Sequence, residues 1–227
     1  MPDSRGRFSR RLSLYLIGLL VYAFGACLMT KANVGISPIT SVSYVGAQIT
    51  GVSLGTATFV MNLGLILIQI LLLGRRYEKR QLVQILVSVA FSVFVDLTML
   101  LADHFAYDFL AGRIAVFAAS LVIMALGISL LLMANLFLLP GDGVAQAISR
   151  RWGMEFGRAK VLTDCCMVAA TVVLSLAALG RVIGIQVGTV ITALALGNLA
   201  RLVIRWIGGP VRRLLDPDAG RREEEAC

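Results

Sequence analysis

Met133-Ala134-Asn135-Leu136-Phe137-Leu138-Leu139-Pro140-Gly141-Asp142-Gly143 closes a long apolar run, with its charge and its turn residues at the end. A counterpart, Lys31-Ala32-Asn33-Val34-Gly35-Ile36-Ser37-Pro38, lies 102 positions earlier. At that one offset, without gaps, Ala23 meets Ala125, Gly25 meets Gly127 and Leu28 meets Leu130. Ala32, Asn33 and Pro38 meet Ala134, Asn135 and Pro140. Val42, Gly51, Gly55 and Ala57 meet Val144, Gly153, Gly157 and Ala159. These are 10 identities in the 41 pairs from Tyr22/Met124 to Asn62/Asp164, and Asn, Pro and Gly are not what an apolar composition favours. An internal repeat decides architecture before any local assignment. The chain reads as a duplication.

Of the 227 residues, 58% are hydrophobic and 15% charged, with a mean hydropathy of +0.86. Soluble domains carry about 25% charged residues, so this composition is that of an integral membrane protein whose first partner is the lipid bilayer. The net charge of +8 does not point to nucleic acid, because the basic residues sit in short runs between apolar segments. There they set orientation. Cys27, Cys165, Cys166 and Cys227 form no Cys-x-x-Cys and no disulfide spacing. Three of them lie in apolar segments, where a thiol behaves as a small hydrophobe.

Residues 1–11 are polar and basic, and Leu12 to Thr30 is uncharged. That run resembles a signal peptide, and Phe24-Gly25-Ala26-Cys27 resembles a lipoprotein cleavage site. Cleavage there would cut through the repeat, and the run is long enough to span at about 20 residues. It is read as an uncleaved first helix. Ser37 and Pro38 then give an N-cap and a first helical position. They start a short, mildly apolar helix over 38–50; in the matching stretch 140–152 a short helix is expected over Val144–Trp152, with Asp142 or Gly143 near its N-cap, and each stretch is either re-entrant or interfacial. Further spans are expected at Leu54–Leu73, Leu82–Leu101, Ile114–Leu139, Val161–Leu179 and Val182–Ile204.

The expected fold is all-α: six transmembrane helices as two inverted three-helix repeats, with short or re-entrant helices after Pro38 and Pro140. The divisions are a basic cytoplasmic N-terminus (1–11), a first repeat (12–101), an exterior loop (102–113), a second repeat (114–204) and a cytoplasmic tail (205–227). With both termini in the cytoplasm, 18 Lys and Arg fall inside and 3 outside, namely Lys31, Arg113 and Arg181. Every loop then obeys the positive-inside rule. Three spans per repeat is an odd number, so the second copy enters from the opposite side.

Inverted repeats are the ground plan of many secondary transporters, whose sites lie where broken helices meet. A helix N-terminus offers unpaired N–H groups and partial positive charge. The candidate substrate-binding residues are therefore Asn33, Pro38, Thr40, Asn135, Pro140 and Asp142. Two readings of the Asn…Pro breaks stand: walls of a substrate site, or surface turns with a capping Asn. Asp142 reads as ligand group, cap or solvated turn residue. Ionisable residues inside spans are costly, which singles out Asp96 and Asp164 for ion or proton coupling. At the repeat offset Asp96 meets Asn198, and Asp164 meets Asn62. Asp164 lies only four residues after Lys160, so a helix end near water is its competing reading. His104 reads as a solvated loop residue, and Tyr77, Trp152 and Trp206 as interface anchors. No metal-ligand spacing, phosphate-cradling loop or nucleophile–base set occurs, so no cofactor, no metal and no enzymatic chemistry is expected.

Ala32-Asn33-Val34-Gly35-Ile36-Ser37-Pro38, then Gly51-x-x-x-Gly55, and late in the chain Gly184-x-Gln186-Val187-Gly188-Thr189, resemble the bacterial YitT/YczE family of membrane proteins over residues 12 to 205. The likeness implies the same two three-helix halves and no particular substrate. Leu136-Phe137-Leu138-Leu139 departs from the first-half pattern Val34-Gly35-Ile36-Ser37. The expected function is a small-molecule or ion transporter of the cytoplasmic membrane, with a small polar or ionic substrate between the two breaks. The alternative is a non-transporting accessory or scaffold protein acting through a partner. A homodimer is compatible with six helices.

Overall fold

The computed structural model describes residues 4–105 and 108–215. The acidic Glu223-Glu224-Glu225 end of the expected tail lies outside them. Eight α-helices follow in the order α1 (Ser4–Ala32), α2 (Pro38–Thr50), α3 (Leu54–Leu73), α4 (Val83–Ala102), α5 (Leu110–Ala134), α6 (Pro140–Trp152), α7 (Phe156–Leu179) and α8 (Val187–Leu215). Among the described residues there is no strand. Six of these helices are long and apolar enough to cross a membrane, and the protein is a multi-pass membrane protein. Large apolar side chains such as Leu71, Leu86, Leu100 and Leu194 point outward. The helices satisfy their own backbone groups, as a lipid-facing surface requires.

The order long, short, long, long occurs twice, and matched residues make matched ends. Asn33 and Asn135 both adopt left-handed backbone, φ 48° and 49°. Asn does so at lower cost than other side chains, and the Asn135 N–H bonds the Leu131 carbonyl at 3.2 Å to close α5. Pro38 and Pro140 each occupy the first turn of a 13-residue helix. Gly51 and Gly153 end these helices at φ 73° and 65°, the left-handed geometry that glycine adopts without Cβ strain.

α1 and α5 form the most extensive helix contact, with α4 against α1 and α8 against α5. Tyr15, Leu19, Ala23, Met29, Met124 and Leu131 are buried in this seam. Two glycines let the backbones approach. A Cβ on Gly127 would lie 2.5 Å from the Tyr22 nitrogen, and one on Gly25 would lie 2.8 Å from that of Met124. Small residues serve this purpose in bilayers, where packing replaces the hydrophobic drive between helices. Each short helix also leans on the other half: α2 on α7, and α6 on α3. The halves differ at one wall. α3 packs broadly on α4, whereas their counterparts α7 and α8 scarcely touch.

Some boundaries differ from expectation, each for a local reason. α5 stops at Ala134 rather than Leu139, because Asn135 turns left-handed and Pro140 disfavours helix before it. Residues 136–139 are apolar but outside any helix. α8 starts at Val187 rather than Val182, because Gly184 sits at φ 76° and the Gly188 N–H bonds the Val34 carbonyl at 3.1 Å. α7 starts at Phe156 rather than Val161. That five-residue extension draws Lys160 into a helix.

Candidate functional site

The N-terminal ends of α2 and α6 meet. A Cβ on Gly141 would lie 2.3 Å from Ile39 Cδ1, so the Ile39 side chain of one short helix packs directly on the first turn of the other. Ser37 caps α2 by accepting from the Thr40 N–H, and the Ser37 and Thr40 hydroxyls are 2.8 Å apart. The equivalent cap on α6 is Leu139, which offers no side-chain bond. Gln69 of α3 steadies that end instead. Its Nε2 donates to the Pro140 carbonyl at 3.0 Å and to Gln84 Oε1 at 3.1 Å.

Around this meeting point lies a cavity of about 170 Å³. Its wall is built in pairs that stand 102 positions apart. Pro38 and Pro140 both line it, as do Ile39 and Gly141, Thr40 and Asp142, Thr58 and Lys160, and Asn62 and Asp164. Phe91 with Ala193 and Val95 with Gly197 extend the same pairing. One polar wall is neutral (Thr40, Thr58, Asn62), and its counterpart is charged (Asp142, Lys160, Asp164). Lys160 Nζ lies 3.1 Å from Asp142 Oδ1 and 3.1 Å from Asp164 Oδ1. One cation facing two carboxylates leaves a formal charge of −1. In a low-dielectric wall that charge acts far more strongly than at a water-exposed surface.

The rest of the cavity is mainly apolar, with Leu54, Met61, Val95, Ile128, Leu139 and Leu196 among its walls. Tyr22 and Phe91 stack there, ring centroids 5.8 Å apart. Ser43 also lines it; the residue is 1% exposed, and its buried hydroxyl has no hydrogen-bond partner among the described residues. A buried unpaired hydroxyl is costly unless something else in the cavity meets it.

The sequence candidates divide. Pro38, Thr40, Pro140, Asp142, Asn62 and Asp164 come together on the cavity. Asn33 does not: it is a turn, with its carbonyl bonded by Arg113 and its side chain 3.1 Å from the Gln186 amide. Asn135 borders a separate hollow that Asp142 shares. Asp96 is spent on another helix, accepting from the Gly55 N–H at 2.7 Å and the Ser53 hydroxyl at 2.8 Å. It thereby holds the start of α3, where negative charge is favoured. Asn198 is exposed and bonds its own helix, at the Leu194 carbonyl and to Arg201. His104 is exposed. Lys160 is the residue that sequence reasoning missed. In sequence it follows Arg150, Arg151 and Arg158; its signals were Asp164 one helical turn on and Thr58 at the repeat offset.

Among the described residues no group of three or more His, Cys, Asp or Glu converges to hold a metal. A family model described as "Family of unknown function (DUF6198)" matches residues 9–205. No curated protein and no solved structure matches the chain.

Proposed function

We propose that this chain, which through that match over most of its length belongs to the DUF6198 family, is a transporter of a small polar or ionic molecule. Its two halves are three-span units in inverted topology, its substrate site is the cavity where α2 and α6 meet, and both short helices are re-entrant. The membrane is the cytoplasmic one, with both termini inside. The likeness to YitT/YczE proteins is part of the same reading.

One observation carries it: residues 102 positions apart, on both sides of the repeat, line a single cavity. Two copies of one unit whose broken ends converge on one space form the plan on which alternating access works, by rocking one repeat against the other. The accessory-protein reading expects polar side chains buried without a cavity, and the space between Pro38 and Pro140 counts against it. In transport, Lys160 offsets one of the two carboxylates, Asp142 and Asp164, while the site is empty and shares both with an entering ligand. The Ser37 and Thr40 hydroxyls and the two helix starts contact the ligand's polar atoms.

The test uses the purified chain in proteoliposomes on a solid-supported membrane. Concentration jumps of small cations, anions and zwitterions are screened for charge movement. Transport predicts a saturable current for at least one class that is lost in both Lys160→Ala and Asp164→Ala. No current and no uptake of any class, from protein shown to be folded, would sink the proposal.

A further inference from the structure

The charge and shape of the cavity also limit what it accepts. We infer, resting on the transport reading, that its ligand is a small organic monocation with an apolar body, its charge held by Asp142 and Asp164.

Charge is the first constraint. Asp142, Lys160 and Asp164 are the acidic and basic side chains of the lining, and their formal charges sum to −1. Lys160 shows how an ammonium is held here, at 3.1 Å from each carboxylate. A second ammonium restores neutrality by sharing those two groups, whereas an anion raises the imbalance to two.

Shape is the second. Bare inorganic cations prefer shells of six or more oxygens or retain waters, and most of this wall is carbon. An apolar cavity of roughly 150 Å³ takes one benzene ring, so about 170 Å³ accommodates a ligand of similar bulk. The stacked Tyr22 and Phe91 faces attract a cation through their ring quadrupoles and fit an apolar body equally well.

The experiment measures binding, not transport. Benzylammonium, benzyl alcohol and benzoate share a ring and a size and differ in charge. Each is titrated into the full chain in nanodiscs by calorimetry and thermal shift, with sodium chloride as the inorganic arm. The inference predicts saturable benzylammonium binding, at least 10-fold weaker binding of the alcohol, and no binding of benzoate. Asp142→Asn and Asp164→Asn each bring the cavity to zero formal charge, and each should cost about 10-fold in benzylammonium affinity while narrowing its lead over the alcohol. Preference for benzoate or benzyl alcohol would overturn the cation assignment and leave transport standing. So would sodium giving the whole stabilisation with nothing added by benzylammonium. Absence of binding by all three ring compounds also overturns it; only the separate failure of the current screen removes transport as well. The wild-type charge series decides even if a variant fails to fold.

Discussion

Lys160 on α7 lies 3.1 Å from Asp142 on the first turn of α6, so a lysine of the cavity wall ties the second short helix to a span. Replacing it by Gln leaves two carboxylates facing each other. Breaking a fully buried pair costs about 3–5 kcal/mol. The side chains here are 30%, 19% and 17% exposed for Lys160, Asp142 and Asp164, and solvent reduces the penalty. Lys160→Gln should lose about 1–3 kcal/mol, read as a lower Tm in detergent. Lys160→Gln/Asp164→Asn should recover part of that loss. No recovery would mean the lysine supports the fold through its stem alone.

Asp96 is expected to matter for stability and not for charge selection. Asp96→Ala leaves the Gly55 N–H without its acceptor, while the Ser53 hydroxyl keeps Thr56 Oγ1 at 2.8 Å. The cost is about 1–3 kcal/mol in thermal unfolding, with the preference for benzylammonium over benzoate intact. Loss of that preference in folded protein would return Asp96 to the ion path that its sequence position suggested.

Two glycines of the first half should respond oppositely to a methyl group. A Cβ on Gly55 would lie 2.2 Å from the Ser92 carbonyl oxygen, a backbone atom, whereas one on Gly46 meets nothing within 4 Å. Gly55→Ala should cost about 1–3 kcal/mol by overpacking. Gly46→Ala, within α2, should be neutral or stabilising by up to about 1 kcal/mol. Equal Tm values for the two variants would show that α3 and α4 do not approach as described.

Topology is open to labelling. Arg76 follows α3 and Arg181 follows α7, and both are exposed. In a background with the four native cysteines replaced, Arg76→Cys should react with an impermeant thiol reagent from the cytoplasmic side alone, and Arg181→Cys from the outer side alone. Reaction of both from one side would break the inverted arrangement.

Much of this fold was legible because the repeat fixes positions that local patterns leave open. Asn33 with Asn135, and Pro38 with Pro140, gave both helix ends and both short helices. The site was half legible. Asn62 and Asp164 face one cavity as their shared offset implied, while Asp96 and Asn198, equally well matched, do not. Asp96 caps the start of another helix through the Gly55 N–H, 41 residues before it, and no spacing within its own helix announces that. Lys160 was hidden by its neighbours: after Arg150, Arg151 and Arg158 it extends a basic run, and only a helix starting at Phe156 turns it inward. The sparse contact between α7 and α8 had no clear signal either, since their sequences are only slightly less apolar than those of α3 and α4.

If the chain is a transporter as proposed, the cavity between Pro38 and Pro140 opens in turn to each side of the membrane. Thr40 lines it and is half-buried, so Thr40→Cys in the cysteine-free background reports its access. Small cationic methanethiosulfonate reagent is applied to one face of sealed right-side-out or inside-out vesicles. Modification from both faces, slowed by benzylammonium, is the expected result. Modification from one face only, or from neither, in folded protein would contradict alternating access at this site.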